Sequence, residues 1–180
     1  MTDFLKLVEK RYSCRAYKPD SVPEEYIKLM LEAAGLAPSA CNKQPWRFAV
    51  ITGKEKKTEI FEHGLLPGIS AKWISEAPVI ITMGIHRSFI THYLAPKISK
   101  IDYALIDAGI AGEHLVLQAT HQGLGTCWIG WIRPKKIRRI VEWPRSILPI
   151  ALITVGWPDD SDKITGTNRL PETETIKWIK

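Results

Sequence analysis

Residues Ile101–His121 form a segment that is apolar on almost every side of a predicted helix. Eight apolar side chains recur through it without leaving a polar stripe: Leu105, Ile106, Ala108, Ile110, Ala111, Leu115, Val116 and Leu117. A helix of this composition has to be covered over most of its surface, because exposed apolar area is unfavourable in water. In a chain of 180 residues we therefore expect a central core helix, a subunit-interface helix, or both.

Apolar runs before and after this segment indicate buried strands. Ala77–Ile85 and Ile147–Trp157 lack the alternation of a half-exposed strand, so both faces are expected to be covered. Two shorter strands are predicted at Trp46–Thr52 and Thr126–Ile132, and the remaining helices at Asp3–Arg11, from Ser21 to Gly35, at Lys54–Phe61 and at Pro134–Val141. Since helices separate the strands, the class is α/β or α+β, with a sheet buried between helices.

One helix start carries a capping signal. Ser21 and Glu24 are spaced as in a capping box, and Pro23 suits the first turn of the helix. Gly35 is expected to end this helix.

The basic charge of the chain favours anionic ligands without choosing among them. The sequence has 25 basic and 19 acidic residues and a formal net charge of +6. A local cluster, Lys135, Lys136, Arg138 and Arg139 with Trp143, is typical either of a solvated helix face or of a nucleic-acid contact. The solvated face is the preferred interpretation, so no nucleic acid is expected as a partner.

The cysteines and the apolar runs indicate a protein of the reducing cytoplasm without a membrane span. Cys14, Cys41 and Cys127 are odd in number and far apart, which disfavours a disulfide framework or a zinc site. No metal site is predicted. The N-terminus lacks the apolar core of a signal peptide, and the longest apolar runs fall short of the roughly 20 residues that a membrane helix needs.

Four short segments carry groups that could bind a ligand. They are Arg11-Tyr12-Ser13-Cys14-Arg15, the loop Ala37–Trp46, the glycine-bracketed Gly123–Trp131, and Asn168-Arg169. Guanidinium groups suit phosphate, and small loop residues let a flat ligand approach the backbone. Taken alone, the first segment is more typical of a surface turn and the third of a helix end followed by a buried strand, and the loop and the tail arginine are weak signals. The sequence has no Walker loop, zinc-protease motif or dinucleotide-binding G-x-G-x-x-G.

In this order, the segments resemble the flavin-binding elements of the nitroreductase family. The family pattern is R-x-S-x-R, then A-P-S-A-x-N-x-Q-P-W-x-F, a buried A-P-V-I-I strand, G-L-G-T-C-W-I-G, and a basic residue near the C-terminus. These elements stand here as Arg11–Arg15, Ala37–Phe48, Ala77–Ile81, Gly123–Gly130 and Arg169. The second and fourth elements are the specific ones, and the resemblance covers nearly the whole chain.

The resemblance implies a fold and an activity. The fold is α+β, one domain over residues 1–180, with a mostly antiparallel sheet flanked by helices, in a homodimer with a long interface helix that Ile101–His121 suits. Two FMN molecules are expected at the subunit interface. The implied reaction passes hydride from NAD(P)H through flavin N5 to a flat organic acceptor such as a nitroaromatic or a quinone.

Basic positions at the two ends of the chain are implied to bind the charged parts of FMN. Arg11, Ser13 and Arg169 match phosphate-binding positions. Tyr12 stands where the family often has another basic residue, and is expected to contribute its backbone. Arg15 matches a basic position at the pyrimidine edge, where a cation stabilises the negative charge of the reduced flavin.

Two further segments are implied to enclose the flavin ring system. One consists of Pro38, Ser39, Ala40 and Asn42, and the other of Cys127, Trp128, Ile129 and Gly130. The backbone N–H near Gly130 is expected to hydrogen-bond flavin N5. Phe89 and Tyr93 are candidates for the pocket rim, with aromatic packing in a loop as the alternative.

The chain departs from the family pattern at the polar edge of the flavin. Larger members carry an asparagine there, whereas no asparagine occurs here from Lys43 through Thr167; Lys72 or a backbone group is a candidate substitute. The alternatives that remain are a different reaction on the same fold, such as dehalogenation, ene reduction or flavin fragmentation, and a non-catalytic FMN carrier. The sequence does not choose between NADH and NADPH.

Overall fold

A four-stranded antiparallel sheet forms the centre of the molecule. A computed structural model describes residues 2–68, 72–86, 100–160 and 168–179. Its strands are β1 (Trp46–Ile51), β2 (Val79–His86), β3 (Gly125–Ile129) and β4 (Ile147–Gly156), in the order β1-β2-β4-β3. Every neighbouring pair is antiparallel. The predicted α+β class and mostly antiparallel sheet are therefore confirmed over the described residues.

The helices pack on both faces of this sheet or extend from it. They are α1 (Asp3–Lys10), α2 (Glu24–Gly35), α3 (Lys54–Glu59), α4 (Trp73–Glu76), α5 (Tyr103–His121), α6 (Pro134–Ile140) and α7 (Glu172–Thr175). A 3₁₀ turn at Ala40–Asn42 and a π-helical turn at Ile60–Gly64 complete the regular structure of the described residues.

The two central strands are buried on both faces, as their continuous apolar runs predict. Ile81 and Ile153 join a core with α2 and α5, whereas the adjacent Ile80 and Leu152 join a second core with the π-helical turn, α4 and α6. Successive side chains of a strand point to opposite faces. A strand covered on both faces therefore has apolar residues at every position, without alternation.

Helix α5 lies against the first face of the sheet through small side chains. Ala108, Ala111 and Ala119 are fully buried on this inner side, and the α2–α5 contact is the most extensive between helices. The outer side is not covered by the described chain, since Leu105 and Ile106 are 46% and 50% exposed. The expected burial of this helix is thus confirmed for its inner side, and its apolar outer side is left uncovered by the described residues.

The predicted capping box before α2 is wrong. The helix begins after Pro23, which makes no side-chain capping hydrogen bond. Proline restricts the residue before it to an extended conformation, and that residue, Val22, is buried in the core. Ser21 is therefore held outside the helix start, and its carbonyl accepts a hydrogen bond from the Trp157 indole at 3.2 Å.

A buried tyrosine ties the N-terminal segment to the sheet. The Tyr17 hydroxyl donates to the Cys14 carbonyl at 2.8 Å and lies 2.7 Å from the Thr154 hydroxyl on β4. Burial raises the pKa of Tyr17 far above its usual range, because the phenolate would lie in a poorly solvated interior.

Replacing this tyrosine should change how stability depends on pH. At neutral pH, Tyr17→Phe is expected to lower the free energy of unfolding by about 1–3 kcal/mol, since two buried polar partners lose their hydrogen bond. Above the ordinary tyrosine pKa of about 10, only the unfolded state of the wild type loses this proton, so folding stability falls by up to ~1.4 kcal/mol per pH unit. The phenylalanine variant lacks that loss. Urea unfolding across this range should show that the difference in free energy of unfolding between wild type and variant narrows as pH rises. A difference that stays constant would contradict the raised pKa of Tyr17.

Candidate active site

The N-terminal segment forms an extra edge beside β3. Ser13 pairs with Thr126 in parallel, and the Cys14 amide donates to the Thr126 carbonyl at 2.9 Å. The Cys14 side chain fills the space over Gly125, where an added Cβ would lie 2.5 Å from its Sγ atom. The segment Arg11–Arg15 and the segment Gly123–Trp131 are thereby brought together. We call them the first and the third motif, and the loop Ala37–Trp46 the second.

Extended backbone places the polar side chains of this segment on one face. Side chains alternate along an extended chain, with about 6.5 Å between residues i and i+2. Cys14 packs towards Gly125, and Tyr12 lies in a groove that Gly125 also lines. Arg11, Ser13 and Arg15 therefore share the opposite face, which explains why these residue types recur at every second position.

Arg15 lies at one end of this face, in a groove with the third motif. The groove has a volume of about 330 Å³. Its lining consists of Arg15, Trp73, Ile74, Cys127, Trp128, Ile129, Gly130 and Trp131. We refer to it as the tryptophan groove. Five of the predicted site residues meet in it.

Trp73 and Trp131 give the tryptophan groove an aromatic lining, whereas the Trp128 ring packs against Gly112 of α5. Trp73 packs against Tyr17 with ring centroids 6.5 Å apart, and the Trp131 indole donates to the Pro67 carbonyl at 2.9 Å. Trp131 is nevertheless 58% exposed. Such faces favour stacking with a flat conjugated ligand.

Two glycines near the groove differ in what a side chain at their position would meet. A Cβ at Gly112 of α5 would overlap the Trp128 ring, so that glycine is required by the packing of the chain itself. A Cβ at Gly130 would meet no described atom within 4 Å. The open space before Gly130 lets a ligand approach its backbone closely.

Arg11 acts on the electrostatics of α5. Burial raises the pKa of the Glu113 carboxyl, and the charges of Arg11 and His114 act in the opposite direction. Arg11 is therefore placed near Glu113, in the middle of α5.

Tyr12 lies in a second groove. This groove has a volume of about 160 Å³ and is lined by Lys10, Tyr12, Thr120, Gly123, Leu124, Gly125 and Pro158. The Tyr12 side chain therefore points away from the face that Arg11 and Ser13 share. Any contact of Tyr12 with a ligand on that face has to come from its backbone.

The loop of the second motif is held by a buried carboxylate of α5. The Ala40 amide donates to both Asp107 carboxylate oxygens, at 3.1 and 3.2 Å. Cys41 and Asn42 both have φ of 51°, a left-handed conformation that this anchor stabilises. The Gln44 amide donates to the Ser39 hydroxyl at 2.9 Å.

This loop and the tail are not brought to the tryptophan groove of their own chain. Pro38, Ser39, Ala40 and Asn42 line neither groove. Asp107 precedes Gly112 by five residues, which is about 7.5 Å along a helix axis. Arg169 is exposed in the tail. Phe89 and Tyr93 lie outside the described residues.

Several lining residues were missed by the sequence interpretation. Trp131 was part of the candidate segment Gly123–Trp131, but it was not among the residues implied to enclose the flavin. Trp73, Ile74 and Lys10 had no comparable signal, because only the fold brings them to the grooves. Asp107 could have been noticed as a carboxylate inside an otherwise apolar helix. Lys72, the candidate substitute for the asparagine, directly precedes Trp73 at the start of α4.

Comparisons with known proteins agree on one family. The model of the Nitroreductase family matches residues 8–67 and 64–157. A protein of Archaeoglobus fulgidus, named for NADH dehydrogenase and NAD(P)H nitroreductase activity, is 32% identical over 89% of this chain and 88% of its own length. FMN reductase [NAD(P)H] of Bacillus subtilis is 29% identical over 96% of this chain and 72% of its own.

A solved structure agrees with this relationship. The FMN-dependent nitroreductase of Clostridium difficile R20291 superposes with a TM-score of 0.79 at 26% identity, covering 98% of this chain and 99% of that one. Among the described residues, no helix has the length and apolar character needed to cross a membrane.

The packing of Trp128 on α5 can be tested at Gly112. Gly112→Ala should destabilise the protein by about 1–3 kcal/mol, because the added methyl group overlaps the Trp128 ring. Gly35→Ala is the matched control: the last residue of α2 has no described atom within 4 Å of an added Cβ, so its stability should stay equal or rise. Thermal unfolding and tryptophan emission measure both variants. Equal behaviour of the two would contradict the packing.

Proposed function

The chain belongs to the nitroreductase family, and we propose that it is an FMN-dependent enzyme that transfers hydride from NAD(P)H to a flat organic acceptor such as a nitroaromatic or a quinone. Family membership makes it an NAD(P)H-dependent oxidoreductase. The observation that carries the proposal is the tryptophan groove, in which Arg15, an open glycine backbone and the aromatic residues Trp73 and Trp131 meet. This set of groups suits a flat, conjugated ligand with a polar edge.

The residues present fit the two chemical parts of FMN. Arg11 and Ser13 offer guanidinium and hydroxyl donors for the phosphate, with Arg169 as a further cation from the tail. Arg15 supplies positive charge in the groove that would hold the ring system. Tyr12 contributes through its backbone, since its side chain lies in the other groove.

When bound, FMN supplies the hydride chemistry itself through its N5 atom. The chain orients the reacting groups and adjusts their electrostatics. Arg15 would stabilise negative charge at the pyrimidine edge, and the backbone N–H at Gly130 would be available to donate to N5. Trp131 would limit water at the ring beside the space that nicotinamide and acceptor would occupy in turn.

We further propose that the site is completed in a homodimer. The outer side of α5 is apolar at Leu105 and Ile106. Gly109 lies between these residues and the end of the helix with no described atom near its missing Cβ. A glycine inside a helix lowers helix stability by about 1 kcal/mol relative to alanine. The close approach of a second helix would explain why a glycine stands at this position.

The dimer gives the second motif a role. Pro38, Ser39, Ala40 and Asn42 line neither the tryptophan groove nor the groove beside Tyr12, yet Asp107 holds their loop in a defined, strained conformation. Asp107 is buried in its own chain, one residue after the exposed Ile106. We propose that the loop it anchors reaches the flavin of the partner. Exposed apolar residues of the tail, Leu170 and Trp178 among them, extend the same interface.

The cofactor proposal is tested by the visible absorbance of the purified protein. Flavin bands should be present, or appear on adding FMN, and should bleach when NADH or NADPH is added without oxygen. Arg15→Met should slow this bleaching by roughly 10- to 100-fold, because a cation that stabilises the reduced state is lost. Lys28→Met removes a cation from α2 instead and should leave the rate of bleaching unchanged.

Different outcomes separate the alternatives. Bands that persist with both nucleotides would indicate a carrier or another electron donor. The absence of any flavin binding would overturn the proposal.

The dimer is tested by placing a charge on the outer side of α5. Ile106→Asp should yield a monomer in light scattering and lower flavin affinity, because the charged group would be buried at the interface. Leu148→Asp is the matched control, since Leu148 is 39% exposed but lies beside α6, and this variant should stay dimeric. A wild-type chain that is monomeric while binding flavin tightly would refute the dimer.

A further inference from the structure

Nearly all of the net positive charge of the chain is concentrated around α6. Between Arg133 and Arg145 the sequence has one carboxylate, Glu142, and six cations: Arg133, Lys135, Lys136, Arg138, Arg139 and Arg145. The formal charge of the whole chain is +6. We call this region the α6 basic surface. None of its six cations forms an ion pair with a described residue, and Glu142 is paired with Lys56 at 3.8 Å.

The fold points these charges outward as a group. Ile137 and Ile140 are buried and fix the inner side of α6. Lys135, Arg138 and Arg139 are spaced at i, i+3 and i+4, so they are neighbours on the outer side. Like charges at this spacing destabilise a helix, and binding of an anion would relieve that repulsion.

A recess at the start of α6 is apolar and lies beside these charges. Arg133, Pro134, Lys135 and Leu148 line it with apolar atoms alone, with a volume of about 410 Å³. Pro134, Leu148 and the alkyl stems of Arg133 and Lys135 give a surface on which a flat base can rest, and the cationic ends of the two long side chains can reach a phosphate at its edge. This is the chemistry of an adenosine that carries an extra phosphate.

The recess lies close to the tryptophan groove along the chain. Arg133 lies two residues after Trp131, and Lys135 lies four residues after it. At about 3.3–3.6 Å per residue, their Cα atoms lie within about 7 and 14 Å of that of Trp131. A dinucleotide with its nicotinamide in the groove can therefore extend its adenosine to the recess.

We propose that this recess binds the adenosine 2′-phosphate of NADPH and makes the enzyme selective for NADPH over NADH. The two reductants differ only in that phosphate, so charge at the adenosine end is what can distinguish them. The inference rests on the proposed function, because it takes the tryptophan groove as the place of hydride transfer. Its first test, however, needs no turnover.

Titration calorimetry of the full-length protein with adenosine 2′,5′-bisphosphate and with adenosine 5′-monophosphate measures the recess directly. The bisphosphate should bind at least about tenfold more tightly, the effect of one charge-assisted contact. Lys135→Glu should remove this difference in affinity; the Lys135 side chain is exposed, so the fold should be retained. Lys28→Glu makes the same charge change on α2, and this variant should retain the difference in affinity between the two nucleotides.

Kinetics give the second readout. The ratio of kcat/KM for NADPH to that for NADH should exceed about ten in the wild type, approach one in Lys135→Glu and stay unchanged in Lys28→Glu. Equal affinity for the two adenosine nucleotides, or an unchanged ratio in Lys135→Glu, would overturn the inference while leaving flavin reduction by NADH intact. A protein that binds no flavin would instead fail the proposed function, whatever the calorimetry shows.

Discussion

The packing of α5 on the sheet positions the other parts of the candidate site. Its buried side consists mostly of alanines and other small residues, together with Leu115 and Val116. From this fixed helix, Asp107 holds the loop of the second motif, Gly112 receives the Trp128 ring, and Glu113 lies near Arg11. The helix therefore sets the distance between the loop and the tryptophan groove. A change that moved α5 would alter all of these contacts together.

The strands and the main helices could be predicted because their patterns are local. The continuous apolar runs became β2 and β4, since a sheet covered on both faces needs no alternation. The strand predicted at Thr126–Ile132 is shorter, Gly125–Ile129, because the chain turns at Gly130. The capping signal at Ser21 failed because burial of Val22 prevailed over a local preference. Strand order depends on distant contacts and could not be obtained from any segment alone.

The candidate site was predictable to the extent that its residues lie in motifs. Arg15 and the residues from Cys127 to Gly130 were identified through the family resemblance, and the fold brings them into one groove. Trp73 and Lys10 could not be identified, because they approach the motifs only after the chain has folded. The motif loop around Ser39 was recognised, but its position away from the groove of its own chain follows only from the anchor at Asp107.

The two cationic regions of the molecule differ in how firmly they are held, and this difference matches the ligands proposed for them. Arg11 and Arg15 belong to a segment fixed by pairing with β3, so little conformational entropy is lost when a ligand binds there. Such preorganisation suits a cofactor that stays bound. Lys135 and Arg139 are exposed on α6 with long, freely rotating side chains, whose ordering opposes binding. Moderate affinity of that kind suits a reductant that must leave after each hydride transfer, so that the acceptor can take its place.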